Sequence, residues 1–331
     1  MFFMNLPKKN NNLSDYGRVA ETLKNSERVF AVTHINPDGD ALGSLCFFRL
    51  LLLKLHKSCV VYCAGPMPVS LEFLSGFKDI ITDIRKVDLS SFDCLVSLDC
   101  ATPKRTAIEK NIQARNSNQI FIEIDHHQIV PSPADIILRI PEAASTTEIL
   151  AELANEMNIS VDKEMAQALL TGIVTDTANF IHASSSSDTM ESAAKLVEQG
   201  ANLSRINDLT TRTKTLPDLK LWGIALSRLT RNAKYDLVWT ILSAEDLKLS
   251  KAGVESLEGI AGFLGGIDAK AILVIYDMGD GMIRGSFRTT HPDINVARLA
   301  QYLGGGGHRQ ASGFSLPGRL VSKNGEWTVV I

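Results

Sequence analysis

Apolar runs of five or six residues recur along the first half of the chain, separated by longer stretches with helical spacing. Arg28 to Thr33, Ser58 to Cys63, Cys94 to Leu98 and Gln119 to Ile124 are mainly apolar and short enough to be buried strands. Ala41 to Lys57 is a strongly apolar helix with Lys54 and Lys57 at its C-terminal end, where the helix dipole favours cations. Thr146 to Met157 and Asp162 to Val174 repeat with helical period. Strands alternating with helices predict an α/β domain, a parallel sheet with helices on both faces.

The pattern changes after about residue 190. Residues 190–232 hold helical stretches, Leu216 to Arg231 among them, and no convincing strand. Beyond Tyr235 two long strands are expected, Ala269 to Tyr276 and Met282 to Arg288, with a turn at Gly279-Asp280-Gly281. A helix from Asn295 to Leu303 leads into Gly304 to Gly307. The reading is a first domain over 1–190, a helical linker over 191–231 and a smaller α/β domain over 232–331. Residues 1–12, with Lys8-Lys9-Asn10-Asn11-Asn12 at their end, read as a frayed tail.

Composition narrows the function classes. The 331 residues carry 34 Lys and Arg against 37 Asp and Glu, a net charge of −3, with 45% hydrophobic and 21% charged residues. This is globular composition, not that of a disordered, collagen-like or coiled-coil chain. It also excludes binding of long nucleic acid by bulk charge; a nucleic-acid partner would be short or held by a few local cations. Residues 231–331 carry 11 basic and 10 acidic residues, so the acidic excess falls in the first domain. The most apolar stretch, Ala41 to Leu55, is broken by Arg49 and Lys54, so no membrane span is expected. At the N-terminus Phe2 and Phe3 precede Lys8 and Lys9, the reverse of a signal peptide. Five cysteines without a second metal-ligand pair read as reduced thiols of a cytoplasmic protein.

Four polar clusters carry candidate chemistry. His34, Asp38 and Asp40 follow the first strand, Asp99 closes the third, and Asp125-His126-His127 close the fourth. In an open parallel sheet these carboxyl ends face one crevice, where ligands bind. Asp176 follows a helix, and its arrival at the same place does not follow from topology. Singly, each cluster has a plainer reading, such as Asp40 as a helix N-cap. Jointly they resist it, because three adjacent ionisable groups at the end of a buried strand are costly unless paired or metallated. Asp oxygens with His nitrogens and no thiolate suit Mn²⁺ or Mg²⁺. Asp38 and Asp40, two apart in an extended stretch, would point to different sides and serve two ions. Two divalent ions would cancel four carboxylates and together activate a water at a phosphoryl group.

In the second domain, Gly304 to Gly307 before His308-Arg309 reads as a loop whose backbone N–H groups approach a phosphate, where a side chain would block them. Arg288 ends a strand and offers a fork to phosphate or a plane to a base. Arg284 is expected on the same face.

These motifs, in this order, resemble those of the DHH phosphoesterase superfamily. Gly285-Ser286-Phe287-Arg288 and Gly304-Gly305-Gly306-Gly307-His308-Arg309-Gln310-Ala311-Ser312-Gly313 resemble its DHHA1 domain. The similarity runs from about 15 to 316, and a chain without further domains is most similar to the nanoRNase and pAp-phosphatase branch. The resemblance implies a hydrolase that cuts short oligoribonucleotides, and 3′-phosphoadenosine 5′-phosphate (pAp), with two divalent ions, Mn²⁺ favoured and Mg²⁺ usable. It implies His34 and Asp38 on one ion, Asp40, His126 and Asp176 on the other, and Asp99 bridging. His127 would face the scissile phosphate and Asp125 would orient a histidine. Arg288, His308, Gly305, Gly306 and Gly307, with Arg284 ranked lower, would hold the nucleotide. A homodimer is compatible with this reading. A cyclic or linear dinucleotide phosphodiesterase of the same superfamily is the nearest alternative, and a non-catalytic nucleotide-binding module the next. Two departures stand out: the segment Gln128 to Pro133 lacks an expected asparagine, and Ser312 stands where alanine is commoner.

Overall fold

A computed structural model describes residues 13–182, 184–210, 215–257, 259–323 and 326–330. Residues 1–12, the expected frayed tail, lie outside the described residues. The chain forms two compact units, Met1–Arg212 and Thr213–Ile331.

The first unit is built on five parallel strands in the order β2-β1-β3-β4-β5: β1 (Arg28–Val32), β2 (Ser58–Tyr62), β3 (Cys94–Leu98), β4 (Ile120–Asp125) and β5 (Ile136–Arg139). One face carries a thick helical layer: α1 (Leu13–Asn25), α2 (Gly39–Lys54), α4 (Thr146–Glu156), α5 (Lys163–Asp176), α6 (Ser187–Glu198) and α7 (Leu203–Thr210). Alternate strand residues such as Val29, Ala31, Val96 and Ile122 pack into it. The opposite face is covered more thinly, by α3 (Glu109–Gln113) and single turns over Phe30, Leu95 and Phe121. Two fully buried glycines set the depth of the helical layer. A Cβ on Gly43 of α2 would meet the Ala168 carbonyl of α5 at 2.6 Å, and one on Gly172 of α5 would collide with Asp40 and Thr147. Only backbone fits between these helices.

The stretch expected as a linker divides between the units. Ala193, Leu196 and Ile206, from α6 and α7, belong to the first core. Leu221 and Ala225 of α8 (Leu216–Ser227) belong to the second.

The second unit has a six-stranded sheet in the order β10-β11-β9-β8-β7-β6: β6 (Thr230–Asn232), β7 (Leu237–Leu242), β8 (Ala271–Asp277), β9 (Met282–Arg288), β10 (Gly306–Gly307) and β11 (Ala311–Pro317). Only β7 and β8 are parallel, joined through α9 (Ala244–Ser250) and α10 (Ile260–Leu264). The helix α11 (Val296–Tyr302) packs on the other face, and β12 (Arg319–Lys323) and β13 (Glu326–Val330) form a separate hairpin. Among the described residues no helix is long and apolar enough to cross a membrane.

Candidate metal centre

The strands β1, β3 and β4 are neighbours in level register, Val32 beside Ser97 and Leu98 beside Ile124. Their carboxyl ends therefore deliver His34, Asp99 and Asp125-His126-His127 to one place. Asp38 caps α2: its Oδ1 accepts from the Asp40 and Ala41 amides, and its Oδ2 lies 3.9 Å from His34 Nε2. The plainer reading of the cap changes, and so does the cause of the expected divergence. The cap is Asp38, not Asp40, and the two acids diverge because Asp38 is extended while Asp40 lies in the first helical turn. Asp40 is fully buried against the N-terminus of α4, its carboxylate accepting from the Thr146 amide at 2.7 Å, the Thr147 amide at 3.0 Å and the Thr147 hydroxyl at 2.8 Å. Helix N-termini stabilise such anions. Nothing in the sequence reading singled out Thr146 and Thr147; their signal was the run Ser145-Thr146-Thr147 opening a helix.

Asp176 is the last residue of α5, and the close α2–α5 packing on Gly43 and Gly172 carries it to the site. Its Oδ2 lies 3.1 Å from His126 Nε2. Three ligand-forming groups lie within the first unit, with donor atoms in each within 4.8 Å of one another: His34, Asp38 and Asp99; Asp40, His126 and Asp176; Asp99, Asp125 and His127. Asp99 stands between the first two, Oδ2 at 3.7 Å from His34 Nε2 and Oδ1 at 3.6 Å from His126 Nε2.

The imidazoles are held for ligation. His34 Nδ1 donates to the Ile35 carbonyl at 2.8 Å, which turns Nε2 inward, and that Nε2 is buried with no hydrogen-bond partner. A carbonyl contact at Nδ1 is the usual arrangement for a histidine that ligates through Nε2. Asp125 accepts from the His127 amide at 2.8 Å and meets His127 Nδ1 at 2.7 Å, fixing that ring. The electrostatics are those of crowded acids. Burial, then the charges of Asp176 and Asp38, push the Asp40 carboxyl up to about 7. Burial, then Asp40, Asp38 and Asp176, hold Asp99 well above the usual carboxylate range. Burial opposes the charged form of His126, but the hydrogen bond and charge of Asp176 overcome it and raise the imidazole to about 9. For His34 burial wins and the shift is downward. Burial also opposes ionisation of Asp125, yet the His127 hydrogen bonds and Arg139 hold it low. Oxygen and nitrogen donors, no thiolate, an orphaned buried Nε2 and self-repelling carboxylates fit hard or borderline divalent cations.

In the second unit Arg288 is largely buried. Its Nη1 donates to the adjacent Phe287 carbonyl at 2.8 Å, its Nε is buried with no hydrogen-bond partner, and it forms no ion pair with the described residues. Arg284 differs: Asp280 holds it at 2.8 Å. The glycine run has a packing reason beside the one expected. A Cβ on Gly305 would collide with the Gly313 carbonyl and meet Phe314 Cα at 2.7 Å, and one on Gly307, at φ +134°, would meet the Ala311 carbonyl at 2.7 Å. Both are glycine so that β10 can lie against β11. Gly306 alone in this trio has open space where a Cβ would point. His308 follows in a tight hairpin, its amide donating to the Ala311 carbonyl at 2.7 Å.

The comparisons follow the same division. Residues 28–173 match the DHH family N-terminal domain, and residues 224–325 match the DHHA1 domain. The chain is 28% identical over 303 residues to the bifunctional oligoribonuclease and PAP phosphatase NrnA of Thermus thermophilus, covering 91% of this chain and 88% of that protein. It is 26% identical over 300 residues to the protein of the same name from Bacillus subtilis, covering 89% and 91%. In fold it is similar to an exopolyphosphatase-related protein from Bacteroides fragilis, with a TM-score of 0.85, 24% identity and coverage of 93% and 92%. Both domain matches fall in order along one chain, which therefore carries a DHH domain followed by a DHHA1 domain.

Proposed function

We propose that the protein is a divalent-metal-dependent phosphoesterase that hydrolyses short oligoribonucleotides and pAp. The observation that carries this reading is the pair of ligand groups joined through Asp99, {His34, Asp38} on one side and {Asp40, His126, Asp176} on the other. The substrate class comes from the NrnA relatives, which match nearly the full chain. When bound, two divalent ions would neutralise the carboxylates and the transferring phosphoryl oxygens and lower the pKa of attacking water. Two histidine nitrogens, from His34 and His126, beside the carboxylates favour Mn²⁺ over Mg²⁺.

The chain's own groups do the rest. Asp125 accepts from His127 Nδ1–H and aims the ring, so that His127 can orient the scissile phosphate. Thr146 and Thr147 keep Asp40 fixed and ionisable. Arg288, with a fork and no acidic partner, binds the nucleotide phosphate or base, with His308 and the Gly306 backbone brought near it by the sheet, where Ala311 pairs with Arg288 and Gly307 with Ser312. A net charge of −3 offers no track for a long chain, which favours substrates of a few nucleotides.

A panel of pAp, a linear dinucleotide, a cyclic dinucleotide and a 24-mer, each with Mn²⁺ or with chelator, tests the reading. Metal-dependent turnover of pAp and the linear dinucleotide, far above that of the 24-mer, is expected. Equal rates on the 24-mer would sink the short-substrate reading, and a preference for the cyclic dinucleotide would replace it with the signalling-nucleotide alternative.

A further inference from the structure

Behind Asp125 lies a buried ion pair that no step above uses. Arg139, the last residue of β5, and Glu123 of β4 are each 2% exposed at the side chain and in direct contact. Neither belongs to a ligand group. A buried pair is weak evidence for stability, because desolvation of two charges offsets their attraction. Its placement gives it another use. Arg139 Nη1 donates to the Gln128 carbonyl at 2.7 Å, and Nη2 donates to the Ala101 carbonyl at 2.9 Å as well as to Glu123. Gln128 directly follows His127. Ala101 lies two residues beyond Asp99.

The turn that bears Asp99 needs such a restraint. Asp99 and Ala101 both take left-handed backbone, at φ +59° and +57°, which non-glycine residues hold only when their surroundings impose it. The Ala101 peptide is gripped on both sides. Its N–H donates to Asp125 Oδ2 at 2.6 Å, and its carbonyl accepts from Arg139. Glu123 completes the node: its other oxygen accepts from the Ser132 hydroxyl at 2.9 Å, at the far end of the segment that begins with Gln128.

We propose that Arg139 is a positioning residue, whose planar fork ties the Asp99 turn to the His127 segment and so fixes the central ligand relative to the phosphate-facing histidine. Glu123 holds the fork in place. The proposal rests on the metallophosphoesterase reading above. A lysine cannot replace this arginine, because one ammonium does not span two carbonyls in a fixed plane.

The test separates positioning from stability and from the functional reading. Removing one partner of a buried pair strands a charge, so the pair is replaced together, Glu123→Leu with Arg139→Met, an apolar exchange such sites tolerate. Mn²⁺ titration by calorimetry needs no substrate, and it decides the matter even if the panel shows no hydrolysis. The folded double variant is expected to bind Mn²⁺ ~10–100-fold more weakly, and kcat at saturating Mn²⁺ is expected to fall by a similar factor with KM for pAp nearly unchanged. Arg139→Lys, which keeps the charge opposite Glu123, should show the same loss of Mn²⁺ affinity, and it carries the test if the double variant does not fold. Arg115→Lys is the control: it perturbs a pair with Asp135 on the same unit, so melting temperature moves and Mn²⁺ affinity does not. Wild-type Mn²⁺ affinity and kcat in Arg139→Lys, or a loss confined to melting temperature, would overturn the proposal.

Discussion

The two units bury charge in opposite ways. The first encloses Asp40 and Asp99 beside Asp38 and Asp176, and the acids raise one another's pKa. The second encloses Arg288 with no acid in contact among the described residues, and burial lowers its pKa. Elsewhere buried charge has partners: Arg139 pairs with Glu123 in the first unit, Arg228 pairs with Asp246 in the second, and Asp277 accepts from the Gly279 and Leu320 amides. The two exceptions, like-charged acids crowded together and an arginine facing no acid, mark where each unit suits a counter-charge: a cation at the carboxylates, an anion at the arginine. If this contrast is right, removing an exceptional charge should cost function and spare or raise stability.

The sharpest break is at Asp99. Asp99→Asn removes the one carboxylate that faces both ligand groups while keeping its shape and the Thr146 contact. Hydrolysis should fall by several orders of magnitude, and both ions should be lost by mass-spectrometric metal analysis. The metal-free variant should melt no lower than the metal-free parent, because mutual repulsion is relieved. Retention of two ions per chain would show that Asp99 does not bridge.

Chelation and pH come next. In the metal-free protein the Asp40 carboxyl lies near 7, against an ordinary value near 4, so the folded state holds a proton that the unfolded state releases earlier. That contribution is complete below about pH 4 and is lost as pH rises through 7. His126, raised to about 9, gives up its share as pH rises from about 6.5 through 9. The melting temperature of the metal-free protein should therefore fall between pH 5 and 8. Mn²⁺ competes with the same protons, so the increment it adds should widen over that interval. An increment independent of pH would show that these acids are not the ligands.

How much of this was legible depended on whether a residue's partners were local. The apolar runs ending at Thr33, Leu98 and Ile124 located His34, Asp99 and Asp125-His126-His127, because strand order in a parallel sheet converts sequence position into place. Asp176 was recognisable only by resemblance, since its approach depends on two helices packing through Gly43 and Gly172, a contact that single-element periodicity does not show. Arg139 escaped because a lone arginine after Ile136-Ile137-Leu138 looks like a strand end turning to solvent, and β5 is too short to stand out. The glycine loop was read for a ligand alone, whereas Gly305 and Gly307 also answer to β11, and Gly306 is the one of the three with open space for a Cβ.

The arginine half of the contrast predicts a smaller, selective loss. Arg288→Ala should lower kcat/KM for pAp and a linear dinucleotide by roughly 10- to 150-fold, the value of a charge-assisted contact at ~1.5–3 kcal/mol. Bis-p-nitrophenyl phosphate, which needs only the metal centre, should be cut at the parental rate. Arg284→Ala should cost less, because Asp280 already occupies that guanidinium. Equal loss on both substrates in Arg288→Ala would mean that the second unit shapes the metal centre itself.

The smallest effect separates folding glycines from a binding glycine. Gly305→Ala drives a methyl into the backbone of β11, and overpacking of this kind costs ~1–3 kcal/mol, so the second unit should melt lower. Gly306→Ala meets nothing within 4 Å, and its backbone is not left-handed, so the fold should lose nothing. Restricting the unfolded chain should even add ~0.4–1 kcal/mol. If a phosphate approaches the Gly306 amide, however, the new methyl stands in its way, and KM for pAp should rise several-fold with kcat for bis-p-nitrophenyl phosphate unchanged. The two substitutions should thus dissociate, one moving melting temperature and the other moving KM. A Gly306→Ala protein with parental KM would remove this loop from the nucleotide site and leave Arg288 to bind alone.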